Sequence, residues 1–329
     1  MPKIPAPVVG MDVAKATLDL ACPLDNGKYR TRGKLSNSSK GFDQLLTWLK
    51  THAQDDAWVV LEATNVYHLA VATFLYQHGY RVCVANPAQI AAYAESELSR
   101  TKTDKTDAKL IVRFGLSHLA RLRAWQPPTA AESKLTALTR RLQDLKALRQ
   151  MESNRLGTAD PSVHDSLHAV LSMLDEQIKA VERAIKQHID DDPDLRDKRD
   201  LLVSIKGIRD TTASLLLAEL GDIHRFTDVR AVVAFCGLNP ALRQSGTWKG
   251  RVRISKVGSS TLRAGLYMPA ISAMQHNPLV RALAERMRVR GKAGMTIVVA
   301  AMRKLLHIAY GVLKSGRKFD PNIGLTATG

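Results

Sequence analysis

Residues 8–35 read VVGMDVAKATLDLACPLDNGKYRTRGKL. The run from Val8 to Leu20 predicts a strand, since β-branched and apolar residues suit a pleated, half-buried surface. Asp25-Asn26-Gly27 then predicts a hairpin turn, where Asn and Gly accept the positive φ that tight hairpins need. Tyr29 to Leu35 is the expected partner strand. Asp12 sits inside the apolar stretch Val8-Val9-Gly10-Met11-Asp12-Val13-Ala14. Aspartate is disfavoured there, so its charge must be compensated by backbone groups, by a lysine such as Lys15, or by a cation.

Working outward, Gly41 to Leu49 has helical spacing, Trp58 to Leu61 reads as a short buried strand, and Tyr67 to His78 as a helix closing at Gly79. Arg81 to Ala85 returns as a strand, Pro87 opens a helix, and Thr103 opens another running to about Leu119. Hairpin strands followed by alternating helices and strands predict an α/β domain of RNase H type, related to the Holliday-junction resolvases, over residues 6–125.

After Pro127-Pro128 the pattern changes. Leucines recur at three- and four-residue spacing from Thr129 to Asn154 and, with isoleucines and valines, from Val163 to Ile189, with a break at residues 157–161. That periodicity predicts two long amphipathic helices, a coiled-coil connector over 129–192. A third domain, mainly α-helical, is expected over 198–320. In it Ile205-Lys206-Gly207-Ile208 between two apolar helical runs resembles a helix-hairpin-helix, and Gly237 to Gly258 reads as loop.

The chain of 329 residues carries 48 Lys and Arg against 31 Asp and Glu, a net charge of +17 and a pI near 9.9. The surplus is not uniform. Between Arg243 and Lys318 stand sixteen basic residues and a single acid, Glu285, a local surplus of 15. A concentration of this kind points to nucleic acid as partner. The apolar share of 45% fits an ordinary globular protein. Cys22, Cys83 and Cys236 form no Cys-x-x-Cys pair, which argues against a zinc knuckle or disulfide framework and suits a reducing compartment. No apolar run of signal-peptide or membrane-span length follows the N-terminus, so the chain is expected to be soluble and cytoplasmic, with no membrane partner. No Walker loop or dinucleotide fingerprint is present, and ATP is not implied.

Four acids stand out. Glu62 ends the Trp58-Val59-Val60-Leu61 run as Asp12 interrupts the first strand, and Asp104 and Asp107 lie three apart, on one face of the helix beginning there. Asp104 and Asp107 also suit a plain helix start, where first-turn acids offset the macrodipole and Thr103 would cap. An RNase H type fold, however, brings the first strand, the fourth strand and a late helix together. Four carboxylates meeting there would repel one another unless divalent cations neutralised them. Oxygen-only ligation suits Mg²⁺ or Mn²⁺, and two such ions can serve both oxygens of a phosphodiester displacement.

These segments carry a resemblance. Gly10-Met11-Asp12-Val13-Ala14-Lys15, Glu62-Ala63-Thr64 and Lys102-Thr103-Asp104-Lys105-Thr106-Asp107-Ala108 resemble, in order and spacing, the four-acid signature of the bacterial IS110 insertion-sequence transposases. That family also takes in the pilin-gene inverting recombinase. Phe235-Cys236-Gly237-Leu238-Asn239-Pro240, Ser245-Gly246, Ile254-Ser255-Lys256-Val257-Gly258 and Leu262-Arg263 resemble its C-terminal half. The chain departs from the pattern at Asn65, where the family carries glycine, and at Lys206-Gly207-Ile208-Arg209, in place of a Pro-Gly-x-Gly turn.

The resemblance implies a DNA transposase or site-specific recombinase in which Asp12, Glu62, Asp104 and Asp107 hold metal and Ser245 attacks DNA to form a phosphoserine link. A structured bridge RNA encoded by the element would guide it. Ser245 lies in a glycine-rich stretch with Arg243, Lys249, Arg251 and Arg253 close in sequence, and Lys256 and Arg263 further on, as candidates to bind phosphate. Holding two duplexes calls for a homodimer or tetramer. Two other readings stay open: a resolvase-like nuclease that uses the same acids with water, and a non-catalytic nucleic-acid-binding protein.

Overall fold

The computed structural model describes residues 6–63, 66–97, 104–241, 244–245, 248–249 and 253–322. The chain divides into two compact units, Met1–Pro127 and Pro128–Gly329.

The first unit is built on a mixed sheet of β1 (Ala6–Val13), β2 (Thr17–Pro23), β3 (Tyr29–Ser36), β4 (Ala53–Glu62) and β5 (Arg81–Ala85), in the order β3-β2-β1-β4-β5. β1, β2 and β3 pair antiparallel, while β4 runs parallel to β1 and β5 parallel to β4. The period-2 alternation of β1 sorts its residues to two faces. Val9, Met11 and Val13 pack with Leu18, Leu20, Val59 and Leu61 against α1 (Ser39–His52) and α2 (Tyr67–Gln77). Val8 and Val60 turn the other way, against Ile90 of α3 (Pro87–Ser96) and Leu110, Ile111 and Phe114 of α4 (Asp104–Ser117).

The single strand expected from Val8 to Leu20 is two strands. Ala14 N–H donates to the Thr17 carbonyl at 2.9 Å and closes a tight turn through Lys15 and Ala16. No Gly, Pro, Asn or Asp marks that turn; it is braced from outside. Asn37 Nδ2 donates to Ala14 O at 3.0 Å and to Tyr67 O at 3.2 Å, and Asn37 N–H donates to Ala16 O at 2.9 Å. The Asp25-Asn26-Gly27 turn joins β2 to β3 with Gly27 at φ 72°, and Lys28 N–H donates to Asn26 Oδ1 at 3.1 Å.

The second unit begins with α5 (Ala130–Leu156) and α6 (His164–Asp191). A capping box starts α5: Thr129 Oγ1 accepts from Glu132 N–H at 3.1 Å and Glu132 Oε2 accepts from Thr129 N–H at 2.9 Å. Ion pairs Lys146–Glu182 (2.8 Å) and Arg149–Asp175 (2.5 Å) fix the two helices as antiparallel. Toward the α5–α6 turn, Leu148, Met151, Val163 and Met173 are exposed, so the far end of this pair is not covered within the unit.

α7 (Pro193–Val203) is capped by Asp192 and is followed by α8 (Asp210–Leu220) and α9 (Val229–Phe235). The segment read as loop between Gly237 and Gly258 contains four two-residue strands. β6 (Pro240–Ala241) pairs with β9 (Arg253–Ile254), and β7 (Gln244–Ser245) with β8 (Trp248–Lys249). Its four glycines and a proline hid the antiparallel pairing, which is set by cross-strand hydrogen bonds and not by propensity. α10 (Ser260–His276), α11 (Pro278–Val289) and α12 (Gly294–Ser315) complete the unit. One core runs through it, from Leu135 of α5 to Val312 of α12. By length and composition α12 could cross a membrane, yet Ile297, Ala301, Leu305, Leu306 and Ala309 are packed into that core.

Candidate functional site

β1 and β4 run parallel with Gly10 beside Val60 and Met11 beside Leu61. Continuing that register by one residue sets Asp12 next to Glu62, both half-buried, at the carboxyl ends of their strands. Open α/β sheets bind ligands at that end. Strand alternation puts both on the face of Val8, Gly10 and Val60, the face covered by α4.

The descent of α4 across this face is fixed by glycines. A Cβ on Gly115 would stand 2.7 Å from Val8 Cγ1, so that turn of the helix lies over Val8. A Cβ on Gly10 would stand 2.5 Å from Ala108 O and 2.6 Å from Val112 N, so the next turn lies over Gly10. One helical turn rises about 5.4 Å and two strand residues about 6.6–6.8 Å. The first turn of α4, which starts at Asp104 and carries the half-buried Asp107, therefore comes over Asp12. The side chain of Asp104 lies outside the described residues.

One acid at this end was not singled out from sequence. Asp19 stands directly opposite Asp12 in the β1–β2 register and is 6% exposed. Its signal was present: an acid between Leu18 and Leu20 in an apolar strand, like Asp12 itself.

Among the described residues no three His, Cys, Asp or Glu close into a metal cage. The acids that the fold brings to one end of the face offer only carboxylate oxygens, a chemistry that suits a hard divalent cation better than a soft metal. A histidine pair at His-x-x-x-His spacing also stands at the start of α6. His164 and His168 are four apart on α6, with ring centroids 6.4 Å apart, and His164 Nε2 lies 3.2 Å from Ala159 O. Among the described residues no third ligand stands beside them, and they make a helix-start contact.

In the second unit Ser245 lies in β7 opposite Trp248 of β8, and Gln244 lies opposite Lys249. The side chains of Ser245, Trp248 and Lys249, and all of Arg243 and Arg251, lie outside the described residues. Arg253 in β9 is exposed, as is Lys256, which holds φ 58° while its N–H donates to Gly237 O. Arg263 acts as a clasp: its Nη1 donates to Cys236 O at 2.9 Å and Gly258 O at 3.1 Å, closing the turn at both ends. The Cys236 thiol beside it is fully buried and pushed up to about 12 by desolvation, which removes it as a nucleophile.

The turn between α7 and α8 packs inward. Gly207 has φ 107° and its Cβ position would stand 2.7 Å from Ala273 Cβ, while Asn277 Nδ2 donates to Lys206 O. Its glycine serves close approach to α10 (Ser260–His276). Beyond it, Arg286, Arg288, Arg290 and Lys292 are all exposed around the end of α11.

Comparison with known proteins places this build among the transposases. Residues 9–159 match the DEDD-type IS110 transposase model, described as "Transposase", and residues 199–285 match the "Transposase IS116/IS110/IS902 family". The pilin gene-inverting protein of Moraxella bovis is 33% identical over 319 residues, 96% of this chain and 98% of its own. The protein of the same name from Moraxella lacunata matches to the same extent, and the transposase for insertion sequence element IS1328 of Yersinia enterocolitica is 27% identical over 300 residues, 82% of this chain and 84% of its own. The chain belongs to the IS110 family of transposases.

Proposed function

We propose that this protein is a DNA recombinase that cleaves and rejoins the strands of an insertion sequence, and that Asp12, Glu62, Asp104 and Asp107 are its cation-binding acids. The observation that carries the reading is the register neighbourhood of Asp12 and Glu62 beneath the first turn of α4. The strand order β3-β2-β1-β4-β5, with three antiparallel strands and then two parallel ones, supports an RNase H-like, resolvase-related fold. Mg²⁺ or Mn²⁺ held by these acids, as one ion or two, would supply Lewis acidity to a phosphodiester and offset charge on its oxygens.

Ser245 is the proposed nucleophile. Its Oγ forms a bond to phosphorus, the bond to a deoxyribose oxygen breaks, and the proton passes in net from serine to the departing hydroxyl. A hydroxyl of another strand then displaces Ser245 and recovers the serine O–H. Phosphodiester energy is conserved, so rejoining needs no ATP. Arg253 and Lys256, with Arg243, Lys249 and Arg251, would hold phosphates, and Arg263 would contribute chiefly by clasping the 237–258 segment. The family resemblance and the C-terminal surplus of basic residues support DNA duplexes and a guide RNA as partners, and a dimer or tetramer as the working form.

The test is to trap the wild-type protein on a nicked suicide DNA and map the modified peptide by mass spectrometry. The adduct is expected on Ser245 and absent from Ser245→Ala. Full cleavage by Ser245→Ala without an adduct would replace this reading with a nuclease that uses the same acids and water.

A further inference from the structure

The first unit carries a concentration of positive charge of its own. Residues 28–42 hold five Lys and Arg and no acid. Three of the five lie on β3, the outermost strand of the sheet, where cations commonly discourage pairing with another chain. That role covers only part of the run. Arg30 Nη1 donates to His52 Nδ1 at 2.8 Å, and Arg30 and Arg32 stand opposite Cys22 and Leu20, on the α1 and α2 side of the sheet.

Lys34 is placed differently. The β2–β3 register shifts between Leu18 and Leu20, so that β3 bulges opposite Asp19, with Lys34 in the bulge at φ 59°. Asp19 in turn stands opposite Asp12, which sets Lys34 level with Asp12, two strands away. Among the described residues, the one other non-glycine residue at positive φ is Lys256, the exposed lysine of the 237–258 segment. Backbone in this sparsely populated region persists only where its surroundings fix it, and it gathers at active sites and ligand clamps.

Two more lysines reach the same end of the sheet without belonging to its edge strand. Lys15 is in the turn that follows β1, and Lys40 is in the first turn of α1, just after β3. Asn37 fastens these two places together: its N–H donates to Ala16 O at 2.9 Å and its Nδ2 to Ala14 O at 3.0 Å. Lys15, Lys34 and Lys40 are all exposed. At about 4.8 Å per strand, β3 lies about 9.5 Å from β1, less than the ~12 Å width of the B-DNA major groove. A duplex with one strand at Asp12 therefore passes over β3 as well, and brings on the order of five phosphates across that interval.

We infer that Lys15, Lys34 and Lys40 form a phosphate-binding rim on the first unit, and that its partner is the backbone of the DNA duplex presented to the carboxylate site. The inference rests on the proposed acid site for where that duplex approaches. It gives the first unit a DNA contact separate from the basic region after Arg243.

The experiment titrates the full-length protein with a labelled random-sequence duplex over a range of salt, in EDTA, so that the outcome does not depend on cation binding. Combined Lys15→Gln, Lys34→Gln and Lys40→Gln is compared with combined Lys50→Gln, Arg121→Gln and Arg123→Gln. The second set removes the same charge from exposed residues beyond the ends of α1 and α4 that lie away from Asp12. Each phosphate contact contributes roughly −0.9 to the slope of log affinity against log salt, so the rim variant should flatten it by about 2–3 and the comparison variant by less than about one. Equal flattening by the two variants, or a wild-type slope for the rim variant, overturns the inference while the acid site stands. A rim variant that changes the slope on a structured RNA but not on the duplex overturns it too, and makes the surface an RNA site. Should the triple variant fail to fold, Lys15→Gln with Lys40→Gln decides, with an expected change of about 2. The acid site is tested apart from this by titrating Mn²⁺ alone into wild type and Asp12→Asn and following free Mn²⁺ by electron paramagnetic resonance. Wild-type protein that binds no Mn²⁺ overturns the acid site, and the salt slope still decides the rim.

Discussion

Gly10 and Ala108 meet backbone to backbone: a Cβ on Gly10 would lie 2.5 Å from the Ala108 carbonyl oxygen. This contact sets how closely α4 lies on β1, and so how near the helix's acids come to Asp12. Gly10→Ala must lift α4 or bend β1. It is expected to cost about 1–3 kcal/mol, the usual range for overpacking, and to weaken Mn²⁺ binding without removing an acid. Chemical denaturation and the Mn²⁺ titration check both effects. Unchanged stability would mean that α4 is free to ride higher than its packing indicates.

Replacing Asp12, Glu62, Asp104 or Asp107 singly with alanine is expected to abolish strand cleavage while leaving nucleic-acid binding near wild type, since the proposed role of these acids is to hold metal and not phosphate. Loss of one ligand should remove several kcal/mol of transition-state stabilisation. Cleavage of a labelled duplex in Mg²⁺, beside a gel-shift titration, gives both quantities. Near wild-type cleavage by three of the four variants would sink the assignment.

The exposed set Arg286, Arg288, Arg290 and Lys292 should set part of the salt dependence of binding. Each phosphate contact on duplex DNA contributes roughly −0.9 to the slope of log affinity against log salt. Substituting all four with glutamine should flatten the slope by about 2–4. An unchanged slope places the contacts elsewhere in the basic region.

His307 on α12 has a buried Nε2 with no hydrogen-bond partner, and burial, with Arg303 and Lys304 nearby, holds its pKa below the ordinary 6.5. The folded protein therefore prefers the neutral ring, and the unfolded chain binds the proton more readily. Stability from this group is present above pH about 6.5 and is lost as pH falls toward the depressed value. Melting temperatures measured from pH 7.5 to 5 should fall more steeply for wild type than for His307→Gln. Equal slopes would show that the ring titrates as it does in the unfolded chain.

Local chemistry made much of this legible in advance. Asp25-Asn26-Gly27, the Pro87 helix start, the leucine spacing of α5 and α6 and the acid-terminated strand at Glu62 are all short-range signals, and the structure bears them out. The turn at Ala14–Ala16 had no such signal, because Asn37, more than twenty residues away, holds it. Arg263 read as a phosphate ligand among other cations, and only the folded chain shows its Nη1 spent on Cys236 and Gly258 carbonyls.

The sequence by itself determined the class of each segment, the concentration of positive charge after Arg243 and the family, because periodicity, composition and ordered motifs survive without coordinates. Which acids share one face was decided by tertiary structure alone. Asp12 and Glu62 are neighbours through a parallel register formed by residues fifty apart, Asp107 joins them through a helix lowered onto Gly10, and Asp19 stands opposite Asp12 through the antiparallel β1–β2 register. Each of these is a long-range packing relation, and a one-residue slip in strand register would turn the same acids to the opposite side of the sheet.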